Sequence, residues 1–166
     1  QRAEWAIVSE IEHNDDAIFK PLFSYEMVKI NKKNHSLAEK DIWEAEDFID
    51  ETWVTYPVPD DMLDLWRKVL KSKGINPTRR TTELTIAMIQ LVASKRGIAT
   101  VPYWAALPYL EKGYVVARKI TKSGLYSNLY AAIRKEDESL SYLEDFYQTV
   151  KSQSFSTLPG LSVLNL

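Results

Sequence analysis

Cysteine is absent from this 166-residue sequence. That removes disulfides, zinc–thiolate sites and thiol nucleophiles together, and it fits a reducing compartment, the cytoplasm. No stretch approaches the roughly 18 consecutive apolar residues that a membrane span requires. An excess of charge is missing too: 21 basic residues face 23 acidic ones, for a net charge of -2. The basic residues fall singly or in pairs, so these residues lack the electrostatic footprint of a polyanion-binding surface. There is no Gly-rich phosphate loop and no Gly-x-Ser-x-Gly elbow. The two histidines, His13 in "EHNDD" and His35 in "NKKNHSLAEK", read as solvated loop residues. "EHNDD" has neither the spacing nor the glycine of a calcium loop. No catalytic residue, metal site or cofactor is expected, and the chain is not expected to be an enzyme.

What is present is a globular pattern, 45% hydrophobic and rich in Trp and Tyr. Short apolar runs predict strands at 5 to 9, 19 to 22, 25 to 30 and 52 to 56. Within "EKDIWEAEDFIDE", Trp43, Ala45 and Phe48 can face inward from a short helix whose acidic side is solvated. Asp60 and Asp61 read as caps of a helix over 61 to 73 with an apolar stripe from Met62 to Leu70, stopped by Gly74 and sealed by Ile75. A second helix carries Leu84, Ala87, Met88, Leu91 and Val92 on one face, widened by Ile86 and Ile89, with Thr81 or Thr82 as its cap. Gly97 breaks it, and "IATVP" follows as a buried strand ended by Pro102. Then come a helix near 104 to 112, the strand "YVVARKI", a turn at Ser123 and Gly124, and a long strand over 124 to 134. A final helix opens on a capping box of Ser141 and Glu144. The pattern is α/β with largely parallel pairing. Two long strands, 19 to 30 and 124 to 134, flank the rest; if both cross between subdomains, the intervening chain forms one lobe and the two chain ends the other.

In an open α/β sheet, ligands collect beyond the carboxyl ends of the strands, where helix N-termini also point. Thr81 and Thr82 offer hydroxyls and free backbone N–H groups at such a helix start, and the strand ending at Pro102 and Tyr103 stops near the same edge. "TYPVPDD", residues 55 to 61, is a second strand end leading into a helix start. A small carboxylate or amino acid fits there, with its side chain against Tyr103 or Trp104. The plainer account is that threonines at helix starts serve as caps and that Tyr56, Tyr103 and Trp104 pack the core or rim. The coincidence of two strand ends followed by polar helix starts sets a binding role level with that account.

"GIATVPYW" preceded by "IAMIQLVASKR", with "NKKNHSLAEK" and the entry "EWAIVS", resembles the effector-binding domain of LysR-type transcriptional regulators. Within that family "FSYEMVKI", "TYPV" before "LDLWRKVL", "VPYW" and "LYAAIRK" are most similar to the MetR type, which regulates methionine biosynthesis. The resemblance runs from about residue 1 to 163. It implies a periplasmic-binding-protein-like fold (type II) of two α/β lobes joined by two crossing strands, with an effector in the cleft. It further implies lobe one at 1–24 and 130–154, lobe two at 25–129 and a tail at 155–166. A DNA-binding winged helix-turn-helix and the first part of lobe one would precede this chain. The chain departs from the family at Ser36, where proline is common. The implied effector is homocysteine, and the implied assembly is a homodimer or tetramer. Matching positions are Ser9 at the first strand end, Tyr56 and Pro57 at the second, Thr81, Thr82 and Glu83 at the helix start, and Pro102, Tyr103 and Trp104 at the last. Thr81 and Thr82 would take the effector carboxylate and Glu83 its ammonium. The competing readings are a solute-binding protein of a transport system and a transferase or dehydratase on the same frame.

Overall fold

The computed structural model describes residues 5–9 and 16–164; His13 and its loop lie outside them. The chain divides into two compact units, residues 1–25 with 126–166, and residues 26–125.

In the first unit, β1 (Trp5–Val8) runs antiparallel to β8 (Leu125–Arg134), with Trp5 opposite Ile133 and Val8 opposite Tyr130. β8 neighbours β2 (Ala17–Asn31). β2 is one strand where two were expected: Pro21 removes one ladder donor but leaves the extended backbone intact. Helix α3 (Ser141–Thr157) packs through the buried Leu143 and Tyr147. Tyr147 donates its phenol to the Pro21 carbonyl at 2.6 Å, and Phe146 stands edge-on to Trp5 with centroids 4.9 Å apart. The expected Ser141–Glu144 capping box does not form. Leu140 holds the cap position, and the Glu144 carboxylate accepts from Lys20 and from Gln148 instead. Residues 155–164, expected within a tail, include regular structure. α3 continues to Thr157, and β9 (Leu161–Ser162) pairs antiparallel with Tyr25 and Ser24, because backbone groups beside a strand edge are best satisfied by a ladder.

The second unit is built on a mixed sheet in the order β3, β7, β2, β6, β4, β5. These are β3 (Ile42–Trp43), β4 (Thr52–Thr55), β5 (Thr78–Thr81), β6 (Ile98–Pro102) and β7 (Val116–Ile120), with the carboxyl half of β2 at the centre. β4 is parallel to both β5 and β6, whereas β6 and β7 are antiparallel to β2. Side-chain alternation then sorts two cores. Val28, Ile30, Val54, Ala99 and Val101 meet Met88, Ile89 and Val92 of helix α1 (Thr85–Ala93) and Ala106 of helix α2 (Tyr103–Glu111). Trp43, Trp53, Ile98 and Ile120 meet Phe48, Leu65, Leu70 and Ile75 on the other face. Each face is covered, as parallel pairing requires.

The 61 to 73 helix is broken. A 3-10 turn at Asp60–Met62 is followed by extended Leu63, a wide turn at Trp66–Leu70 and another 3-10 turn at Lys71–Lys73. Asp60 and Asp61 do not cap it: Asp60 pairs with Arg79, and Asp61 with Lys71 at 3.0 Å. Met62, placed on the stripe by periodicity, is exposed. The stop is as expected, with Gly74 left-handed at φ 66° and Ile75 N–H bonded to the Leu70 carbonyl at 3.2 Å. Gly97, at φ 144°, precedes β6 so closely that an added Cβ would lie 2.4 Å from the Thr52 carbonyl oxygen.

Lys29 on β2 is fully buried on the Trp43 side. Its ammonium donates to Asn31 Oδ1 at 2.5 Å and sits 3.5 Å from the Trp43 ring centroid. Burial, reinforced by the nearby Arg118, lowers its pKa to about 7, against a smaller upward pull from Glu51 and Asp47. Between that value and the ordinary 10.5 the unfolded chain binds more protons than the folded one, so Lys29 makes stability rise with pH across this window. Lys29→Met should therefore abolish that rise and add about 1 kcal/mol or more at pH 6, read by urea unfolding over pH 6 to 10. Gly97→Ala should cost about 2–3 kcal/mol in the same assay, because the backbone of β4 leaves no space for a methyl group.

Candidate functional site

The parallel pairing of β4 with β5 and β6 sends three strand ends to one edge of the second unit's sheet. Thr55 sits opposite Thr81, and Val54 opposite Ala99. Tyr56 and Pro57 therefore leave β4, Thr82 and Glu83 leave β5, and Tyr103 and Trp104 follow Pro102 at the end of β6, all on the same side. These eight predicted residues come together in one unit. Ser9 belongs to the other unit, exposed just past β1.

Thr81 and Thr82 do not cap α1. Thr81 is the last residue of β5, and the Thr82 N–H, expected to be free, donates to the Thr55 carbonyl at 2.9 Å. The strand ladder simply extends one residue further than capping preference suggests. Leu84 occupies the cap position without a side-chain bond, and Thr85 is the first helical residue. The first intrahelical bond runs from Met88 N–H to the Leu84 carbonyl at 3.0 Å, so the amides of the first turn, from Thr85 to Ala87, lack helical acceptors. The positive end of α1 thus lies at Thr85, a residue that the periodicity placed inside the helix. α1 is also less enclosed than its apolar pattern implies: Leu84 and Ile86 are exposed while Met88, Ile89 and Val92 are buried.

Two interactions fix this edge. Tyr56 and Thr85 bond hydroxyl to hydroxyl at 2.5 Å, joining the end of β4 to the start of α1. Tyr56 and Tyr103 both lean on the α1–α2 core and are half-buried, so each presents a ring beside the helix start. Arg79, which sequence reasoning did not single out, gathers the loop after β4. Its guanidinium pairs with Asp60 and donates to Thr55 Oγ1 at 2.8 Å, to the Tyr56 carbonyl at 3.3 Å and to the Val58 carbonyl at 3.4 Å. It also lies 5.9 Å from the Trp53 ring centroid, across the β4–β5 pair. The signal in "TRRT" is weak, because two adjacent arginines on a strand point to opposite faces and only tertiary contacts tell them apart. The site offers polar hydroxyls, a helix N-terminus and aromatic walls for a small anion-bearing molecule. Glu83, exposed beside them, supplies a carboxylate.

His35 is a correction to the sequence reading. It is half-buried, donates from Nε2 to Glu51 at 3.0 Å, accepts the Leu37 N–H at Nδ1 at 3.1 Å and packs against Trp43. It is a structural link in the 32–38 loop, not a solvated side chain. Among the described residues, no group of three or more His, Asp or Glu side chains is gathered as a metal set, and no helix is long and apolar enough to cross a membrane.

Arg79→Met should free the 56–60 loop, lowering stability by about 1–3 kcal/mol through the unpaired carbonyls and Asp60, with faster amide exchange confined to residues 55–62.

The LysR substrate binding domain family matches residues 1–154. The chain is 94% identical over 165 residues to the HTH-type transcriptional regulator MetR of Haemophilus influenzae, covering 99% of this chain and 53% of that protein. It is 32% identical over 153 residues to MetR of Escherichia coli, covering 92% and 48%. The chain thus spans about half the length of these curated relatives. The solved regulatory domain of MetR, a LysR family regulator from N. meningitidis, superposes with a TM-score of 0.92 at 61% identity, covering 98% of this chain and 76% of that one. These relatives are named as regulators of transcription and not as enzymes. The chain belongs to the LysR substrate-binding-domain family, as an effector-binding domain of the MetR type with the periplasmic-binding-protein-like type II fold.

Proposed function

We propose that this domain senses a small amino-acid effector, homocysteine, at the carboxyl edge of the second unit's sheet, and that the whole regulator acts in the cytoplasm on genes of methionine biosynthesis. The observation that carries this reading is the convergence of Tyr56, Thr82, Thr85 and Tyr103 on three parallel strand ends and one helix start. The effector carboxylate is assigned to the amides of Thr85 to Ala87, flanked by the Thr81 and Thr82 hydroxyls. This moves its centre slightly from the strand end to the first helical turn. Glu83 is the partner for the ammonium, and Tyr56, Tyr103 and Trp104 form the wall for the thiol-bearing chain, with Pro57 and Pro102 holding the turns rigid. Such a ligand acts only through differential affinity for two arrangements of the protein. We assign the output to a winged helix-turn-helix of the whole regulator, a reading supported by the relatives' naming as HTH-type regulators, acting through dimer or tetramer assembly.

Calorimetric titration with homocysteine checks the assignment. The Thr82→Ala variant should weaken binding about tenfold, the loss of one charge-assisted bond, and Thr85→Ala, which keeps its amide but releases the Tyr56 hydroxyl, should weaken it by a smaller factor, while an exposed change elsewhere in the unit, Lys73→Gln, leaves affinity intact. Equal affinity in the wild type and both threonine variants would remove this site. Methionine and serine titrated in parallel report how far the thiol-bearing chain sets selectivity.

A further inference from the structure

The opposite edge of the same sheet holds a cavity of about 540 Å³. It opens where β4 begins at Thr52 and where Gly97 leads into β6, and it is walled by the 32–36 loop and the carboxyl end of α1. Its lining includes Lys32, Arg80, Lys95 and Arg96, against the carboxylates of Asp50 and Glu51. Among the described residues, none of those four cations makes an ion pair. The Glu51 carboxylate is occupied by the His35 ring, whose Nδ1 accepts the Leu37 N–H, so that the neutral imidazole donates from Nε2. Four cations against two carboxylates leave the lining positive, and close like charges without counterions repel one another.

The end of α1 has an unusual construction. Arg96 N–H bonds the Leu91 carbonyl at 2.9 Å and Lys95 N–H bonds the Val92 carbonyl at 3.0 Å, the double closure that ordinarily places glycine in the left-handed position. Here that position is Lys95, at φ 60°. A long cationic side chain is held in a disfavoured conformation at the mouth of the cavity, where glycine would be easier. Favourable interaction with the negative end of the helix accounts for Lys95 and Arg96. It does not account for Lys32, which comes from the loop after β2, or Arg80, which comes from β5.

We infer that this cavity is a second ligand site, separate from the effector edge, for a small anion bearing at least two negative charges. Lys32, Arg80, Lys95 and Arg96 bind its charged groups, and the His35–Glu51 pair keeps the loop wall in place. The volume suits a metabolite with a phosphate group or two to three carboxylates. The two chemistries share the requirement for convergent cations, and the probes below separate them.

The test titrates the protein with citrate and with pyrophosphate in low-salt buffer, using calorimetry and thermal unfolding, with sodium chloride matched for ionic strength. The wild type should bind at least one probe in the micromolar to low millimolar range and be stabilised by it, with affinity falling steeply on adding salt. Binding of citrate alone identifies a polycarboxylate site, and binding of pyrophosphate alone a phosphate site. Lys95→Gly keeps the left-handed turn and should not lower Tm, yet should weaken the anion at least about fivefold. The Lys32→Gln/Arg96→Gln double variant should weaken it by more than about twentyfold. Absence of binding by both probes, or equal affinity across all variants, overturns the inference. Homocysteine affinity should be unchanged in Lys95→Gly whether or not the effector reading holds; its loss would merge this cavity with the effector site and likewise overturn the inference.

Discussion

Parallel pairing of β4 with β5 on one side and β6 on the other is the constraint from which the second unit's chemistry follows. A parallel register cannot be closed by a tight turn, so each crossing must travel over a face of the sheet. The broken helical segment at 60–73 makes one such crossing, and α1 makes the next. Both faces are thereby covered, and Trp53 and Val54, adjacent on β4, enter separate cores. The same register collects carboxyl ends at one edge and amino ends at the other.

α1 connects these two edges. Its start, at Thr85, lies at the strand ends with amides that lack helical acceptors, while its finish places Lys95 and Arg96 beside the amino ends of β4 and β6. A helix crossing between parallel strands must run antiparallel to them, and its dipole is therefore oriented along the sheet. An anion is favoured at its start on electrostatic grounds; at its finish, cations are favoured, and it is those cations that line the cavity. The two edges differ accordingly. One presents backbone amides, hydroxyls and aromatic rings, and the other presents long charged side chains.

Polar groups within this frame are held by specific partners. Arg79 ties the loop after β4 by satisfying carbonyls that would otherwise point into a crowded turn. Lys29 is tolerated inside because an indole face and an amide oxygen replace part of its hydration, at the expense of its basicity. His35 closes the 32–38 loop against Glu51. Each is a charged or titratable residue whose environment, not its type, sets its behaviour.

The α/β pattern, most strand positions, the Gly74 and Ile75 stop and the inward Trp43, Ala45 and Phe48 follow from periodicity and turn chemistry, because those signals are local. So does the prominence of the residues at the ends of β4, β5 and β6. Local signals failed where a tertiary partner competed for the same group. Thr82 gives its N–H to Thr55, Glu144 turns to Lys20, and Asp60 turns to Arg79, so none of the expected N-terminal caps forms. The place of Thr85 at the helix start, the left-handed Lys95, the burial of Lys29 and the cavity lined by Lys32 and Arg80 were decided only by folding. They depend on which residues distant in sequence meet across strand pairs, and spacing along one chain carries no record of that.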